Sequence, residues 1–316
     1  MISKRRSFII GIKGKKLTKQ EIIFLRKYKP WGIILFSRNI DNLDQIKQLV
    51  QQIKRLFNDK KYPILIDEEG GRISRLKKII DNSLFSASYF GNLYNKDINK
   101  FKTYYNVYIN QISYLLNEIG ININSVPCLD LSKSNKKYII GDRAFSNNPV
   151  LVSKIGDICI DLFHKKGIGT IIKHIPGHGM TKIDSHFKTP IVNNKFSKLI
   201  EKDFKAFKNK KSIMAMTSHI IYKDLDKINT ATHSKIVIKM IRDKIKFKNI
   251  IITDDISMKA LKTNLKNSVI KSFTAGCNLV LHCNGSMREM NIVAKNSPLL
   301  SNFIIKKTSQ LYKILS

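Results

Sequence analysis

Fourteen residues, Lys173 to His186, hold three histidines together with Lys173 and Asp184. An imidazole gives and takes protons near neutral pH, and a carboxylate two residues away, as Asp184 is from His186, favours its charged form. In an extended strand that pair shares a face; in a turn the carboxylate can hydrogen-bond the ring and set its tautomer. Pro176, Gly177 and Gly179 exclude regular structure from the middle of the segment and let its backbone approach a ligand closely. The spacing argues against a locally built metal site. His178 and His186 are too far apart for a helical His-x-x-x-His pair, and the two glycines disfavour a helix between them. A solvated loop with scattered histidines would explain one Asp-x-His triplet. It explains less well this density of titratable groups behind the apolar run Gly169-Thr170-Ile171-Ile172, which reads as a buried strand with Lys173 and His174 emerging at its C-terminal end.

Other polar residues stand in the same relation to an apolar run. Asp67 follows Ile64-Leu65-Ile66, Asp130 lies just past Ile121 to Val126, and His219 follows Met214-Ala215-Met216. Asp254 follows Ile250-Ile251-Ile252-Thr253, and His282 follows Leu279-Val280-Leu281. A chain returning to water ends one or two strands this way by chance, but hardly so many. Asp67-Glu68-Glu69-Gly70-Gly71-Arg72 runs on to Arg75, and Gly141-Asp142-Arg143 is a second glycine turn bearing a guanidinium. Arg72 and Arg75, three apart, are expected to point inward together if a helical turn follows. Guanidinium groups and a carboxylate at one strand end suit a ligand rich in hydroxyls and carrying an acid.

The elements that must position these residues alternate along the chain. Strands are expected at Ser7 to Gly11, Gly32 to Phe36, Pro63 to Ile66, Ile121 to Val126, Gly169 to Ile172, Ser212 to Met216, Ile250 to Thr253 and Asn278 to Leu281. Thr18-x-x-Glu21 is a capping box opening a helix to Tyr28. Ile46, Leu49, Val50, Ile53 and Leu56 mark an amphipathic helix from Leu43 to Phe57. Further helical periods cover 101–119, 150–166, 197–207, 234–244, 267–275 and a tail from Leu300 to Ile314. Strand-then-helix order repeated about eight times predicts a parallel sheet closed into a single (β/α)8 TIM barrel, as one domain over 1–316. In such a barrel all the strand ends meet at one face.

The net charge of +34 first suggests a polyanion partner. The basic residues are spread along the whole chain, however, and are mostly lysine, in company with much Ile and Asn. That profile fits an AT-rich coding bias, so no specific nucleic-acid role is expected. Cys128, Cys159, Cys277 and Cys283 form no Cys-x-x-Cys pair and read as reduced thiols. The apolar stretch Phe8 to Ile12 is too short for a signal peptide, and no run reaches the roughly 18 residues of a membrane span. A cytoplasmic protein without membrane insertion, acting as a monomer, is expected.

The segments Asp67 to Arg72, Lys173-His174-Ile175-Pro176-Gly177-His178-Gly179 with Asp184-Ser185-His186, and Thr253-Asp254-Asp255-Ile256-Ser257-Met258 resemble those of the bacterial N-acetyl-β-glucosaminidases of glycoside hydrolase family 3. Phe36-Ser37-Arg38-Asn39, Gly141 to Phe145 and Ala275-Gly276-Cys277-Asn278 extend the likeness over nearly the whole chain. The resemblance implies a single-barrel enzyme, working without metal or other cofactor, that removes terminal N-acetylglucosamine from cell-wall muropeptides (GlcNAc-1,6-anhydroMurNAc-peptides) in peptidoglycan recycling. It implies Asp254 as nucleophile, His186 as acid/base with Asp184 as its partner, and Asp67, Arg75, Arg143, Lys173 and His174 as residues that hold the sugar. His178 is expected to shape the loop. Asp255 adjoins the nucleophile, but successive residues at a strand end face opposite ways, so only one carboxylate can reach the sugar. A phosphorylase and an inactive, polyanion-binding barrel are the competing readings.

Overall fold

The computed structural model describes residues 2–132, 139–181, 185 and 187–315. Each of the eight apolar runs anticipated above forms a strand of one closed, parallel barrel. The barrel strands are β1 (Arg6–Gly11), β2 (Pro30–Leu35), β3 (Ile64–Ile66), β4 (Ile123–Asn124) and β5 (Gly169–Ile175), followed by β7 (Met214–Thr217), β9 (Ile250–Asp255) and β10 (Leu279–His282). They are hydrogen-bonded in sequence order, and β10 closes back on β1. A separate parallel pair, β6 (Ile191–Val192) with β8 (Ile221–Tyr222), belongs to the segments that follow β5 and β7.

Side chains alternate across the barrel wall because a strand has period two. Ile10, Ile33, Ile64, Ile172, Ile251 and Val280 join the layer beneath the surrounding helices. Their neighbours Ile9, Ile34, Leu65, Ile171, Ile252 and Leu279 meet in a second cluster inside. The helices are α1 (Lys19–Tyr28), α2 (Leu43–Phe57), α3 (Ala87–Lys96), α4 (Ile98–Ile119), α5 (Pro149–Lys165), α6 (Phe196–Glu201), α7 (Lys235–Asp243), α8 (Leu265–Ala275), α9 (Met287–Asn296) and α10 (Asn302–Ile314). At the start of α1 the capping box is complete: Thr18 accepts the amide of Glu21 at 3.1 Å, and Glu21 accepts that of Thr18 at 2.8 Å. α2 buries Ile46, Leu49, Val50 and Ile53, the face its 3.6-residue period predicts.

α10 closes the N-terminal end of the barrel. Its Leu311 joins the inner cluster beside Trp31, and Trp31 donates from Nε1 to Thr308 Oγ1 at 2.9 Å. With that end plugged by apolar groups, polar chemistry is left to the opposite face, where the strands end.

Four expectations need correction. β5 does not stop at Ile172 but runs to Ile175, so Lys173 and His174 are strand residues rather than loop residues. β4 is only Ile123–Asn124: Pro127 has no amide to give a ladder, although Val126 and Pro127 still accept the amides of Ile171 and Lys173 from β5. The helix expected over 197–207 splits into α6 and a 3-10 turn at Asp203–Phe207. Arg72 and Arg75 do not point inward together: Arg72 turns to Asp142 at 2.9 Å and to the carbonyls of Ile139 and Ile140, and Arg75 alone reaches inward.

Candidate active site

The C-terminal mouth is built around a buried lysine. Lys173, 2% exposed, places Nζ 3.1 Å from Asp67 Oδ1, 2.7 Å from Glu69 Oε1 and 3.0 Å from Ser125 Oγ. Asp67 and Glu69 sit two residues apart past the end of β3 and so present their carboxylates together. Arg75 approaches Asp67 Oδ2 at 3.4 Å. Arg143 grips Glu69 with both arms of its fork, Nε and Nη2 each at 2.8 Å. Burial pushes the Glu69 carboxyl up, but Arg143 and Lys173 overcome it and hold the group at about 2. Asp67 is likewise below the usual carboxylate range: burial opposes ionisation and the charges of Lys173 and Arg75 outweigh it. Burial also works against the charge on Lys173, yet the two carboxylates raise its value. All three groups are therefore ionised in the fold, and each stays so because of the others.

A second hub is Asp130, fully buried. It accepts His174 Nδ1 at 2.6 Å, the amide of His174 at 3.2 Å, the amide of His178 at 2.7 Å and the Cys128 thiol at 3.4 Å. Burial raises the Asp130 carboxyl, while His174 and these donors draw it down to about 2. A carboxylate donates nothing, so the short contact places a proton on His174 Nδ1 and turns Nε2 away from Asp130. His178 is buried, and burial lowers it to about 4; it stays neutral at physiological pH and its ring lies 5.9 Å from that of His174.

The loop after β5 is pressed between two supports. A Cβ on Gly179 would lie 2.6 Å from the carbonyl oxygen of Leu131 and 2.8 Å from Asp203 Oδ1. Gly177 has φ +146°, and a Cβ there would lie 2.8 Å from Cβ of Asp203. Asp203 accepts the amide of Met180 at 3.0 Å, and the Tyr222 hydroxyl donates to the carbonyl of Gly177. Asp184 and His186 lie outside the described residues. Ser185 between them in sequence is described: its carbonyl accepts the amide of Ala260 at 3.2 Å. Thr189 then donates to the carbonyl of Ala260 at 2.6 Å. Ser185 and Thr189 are thus both tied to Ala260, in the loop that follows β9.

At the end of β9 the two adjacent aspartates differ. Asp255 accepts the amide and hydroxyl of Ser257 at 3.1 and 2.8 Å and the amide of Cys283 at 3.3 Å, and its carbonyl meets His219 Nε2 at 3.0 Å. Asp254 accepts the amide of Asp255 through Oδ1 at 2.8 Å. Burial lowers His219 from its ordinary value, and the charge of Asp254 opposes that shift.

The structure thus gathers Asp67, Arg75, Arg143 and Lys173 into one charged lattice, with His174 beside it on Asp130. Glu69 and Asp130 were not anticipated in these roles. The i, i+2 spacing of Glu69 from Asp67 was a usable signal, whereas Asp130 was visible only as a strand-end acid.

Fold and site together define a (β/α)8 barrel that gathers carboxylates, imidazoles and guanidinium ions at its C-terminal mouth. Residues 9–309 match the glycosyl hydrolase family 3 N-terminal domain, and the chain belongs to that family of glycosidases. It is 30% identical over 285 residues to a beta-hexosaminidase of Actinobacillus succinogenes, covering 88% of this chain and 81% of that one. Beta-hexosaminidase A of Pseudoalteromonas piscicida is also 30% identical, over 279 residues and 81% of this chain. The present chain spans about half of that relative, 46% of its length. NagZ from Neisseria gonorrhoeae, solved in complex with N-trifluoroacetyl-D-glucosamine, superposes with a TM-score of 0.86 at 27% identity, over 98% of this chain and 90% of that one.

Proposed function

We propose that the protein is a retaining exo-β-N-acetylglucosaminidase that removes terminal N-acetylglucosamine from muropeptides. The observation that carries this reading is the pairing, at one strand end, of Asp254 with an Asp255 committed to Ser257 and Cys283, next to a triplet segment tied through Ser185 to Ala260. Asp254 attacks the anomeric carbon while His186 gives its proton to the departing glycosidic oxygen, producing a glycosyl-enzyme ester and a neutral imidazole. His186 then takes a proton from water, the oxygen of that water attacks the anomeric carbon, and Asp254 leaves as carboxylate. Asp184 stabilises the imidazolium form in the first step. Asp67, Arg75, Arg143, Lys173 and His174 hold the sugar hydroxyls and the N-acetyl group. The beta-hexosaminidase relatives and the sugar-analogue complex of the Neisseria protein support the choice of N-acetylhexosamine.

His186→Ala is expected to slow an N-acetylglucosaminyl disaccharide far more than a 4-nitrophenyl glycoside, whose leaving group departs with little protonation. Steady-state kinetics on both substrates read the split. Equal losses would remove His186 from the acid/base role.

A further inference from the structure

Beside the sugar site stands a thiol that the hydrolytic chemistry leaves unused. Cys128, Asp130 and His174 come from two segments more than forty residues apart, and all three are buried. Cys128 Sγ, an Asp130 carboxylate oxygen and a His174 ring nitrogen all lie within 4.8 Å of one another. Two donors on a tetrahedral zinc, with bonds of about 2.0–2.3 Å, stand roughly 3.3–3.8 Å apart. The Cys128 Sγ to Asp130 Oδ2 separation of 3.4 Å already falls in that span. The His174 Nδ1 to Asp130 Oδ2 contact of 2.6 Å has to open, which follows when a metal replaces the Nδ1 proton that now holds the two together. His178 is close by, its ring 5.9 Å from that of His174, with a buried Nδ1 that has no hydrogen-bond partner among the described residues. A sulfur, oxygen and nitrogen set selects zinc-like ions over magnesium or calcium, which prefer all-oxygen cages.

We propose that Cys128, Asp130 and His174 form an inhibitory site for a thiophilic divalent cation, which on binding withdraws His174 from the sugar. Binding releases one proton, from the Cys128 thiol, while the His174 ring proton moves from Nδ1 to Nε2, and leaves thiolate, carboxylate and neutral imidazole on the metal. The loss of activity rests on the hexosaminidase reading above; the binding itself does not.

The test is a cobalt(II) titration of the full chain, with a zinc inhibition curve on the aryl glycoside run in parallel. Wild type is expected to develop the near-ultraviolet thiolate-to-cobalt charge-transfer band and to lose turnover as zinc is added. Cys128→Val keeps a small apolar side chain in a buried position. It is expected to retain turnover without metal, to show no such band, and to need at least roughly tenfold more zinc for the same inhibition. A band and a zinc sensitivity unchanged in Cys128→Val would overturn the proposal, as would a folded wild type that gives no band. A band lost in the variant from a chain that has no hexosaminidase activity would uphold the metal site and refute only the enzymatic reading.

Discussion

Lys173 holds together two carboxylates that would otherwise repel. Its side chain is 3% exposed, that of Glu69 5% and that of Asp67 15%, so water does little to screen them. Lys173→Met keeps the length and removes the charge, leaving two buried anions short of a partner. We expect a loss of about 3–5 kcal/mol of stability, read by denaturant unfolding, together with loss of sugar binding. A cost under 1 kcal/mol would mean that Arg75 and Arg143 suffice. The same groups set the acid limit of the fold. His178 has a folded value of about 4 against an ordinary 6.5, so its contribution is complete above pH 6.5 and declines as pH falls toward 4. Asp130 and Glu69 sit at about 2 against ordinary values of 3.8 and 4.5, so their contribution is present above those values and is lost between them and pH 2. Unfolding free energy should therefore drop in two stages on acidification; His178→Asn should shrink the first, leaving the share of His233, which burial also lowers to about 4, and an unchanged first stage would exclude His178 as a source. At this scale the residue types were legible: Asp67, Arg75, Arg143, Lys173 and His174 stood out as charged or titratable groups near strand ends or glycine turns. The partnerships of Glu69 with Arg143 and of Asp130 with His174 were not, because they join segments that only the closed barrel brings together.

The loop after β5 owes its shape to what lies behind it. Gly179 fits between Leu131 and Asp203 only because it has no Cβ. Gly179→Ala should shift the segment that leads to Ser185 and lower kcat/KM by up to about a hundredfold, with the barrel's far-ultraviolet circular dichroism unchanged. Wild-type kinetics in that variant would show the loop to be uninvolved. Element boundaries were legible where one force dominates. α1 and α2 run as their capping residue and apolar stripe dictate, and the eight strands announce themselves as β-branched runs buried on both faces. α3 escaped notice because Ala87–Lys96 contains Gly91, Asn92 and Asn95, which read as loop. Its glycine is explained by packing, since a Cβ there would lie 1.6 Å from the carbonyl oxygen of Phe145. α9, Met287–Asn296, buries only Met290, Val293 and Ala294, too narrow a stripe to stand out in a polar stretch.

Over the whole molecule, architecture and charge give different kinds of information. The alternation of strand and helix specified a closed parallel barrel, and with α10 packed against its N-terminal end the chemistry falls at the other mouth. The net charge of +34 specified nothing of the kind. Almost all the lysines are solvated, and the one at the site, Lys173, is buried. Among the described residues no helix is long and apolar enough to cross a membrane. The central claim is that this barrel cleaves N-acetylglucosaminides through Asp254, and the most direct measurement is release of 4-nitrophenol from 4-nitrophenyl N-acetyl-β-glucosaminide by wild type, Asp254→Ala and Asp255→Ala. The account predicts turnover by wild type, none by Asp254→Ala, and reduced but measurable turnover by Asp255→Ala, whose carboxylate holds Ser257 and Cys283 in place. Turnover that survives in Asp254→Ala and disappears in Asp255→Ala would contradict it, as would a folded wild type with no activity on this substrate.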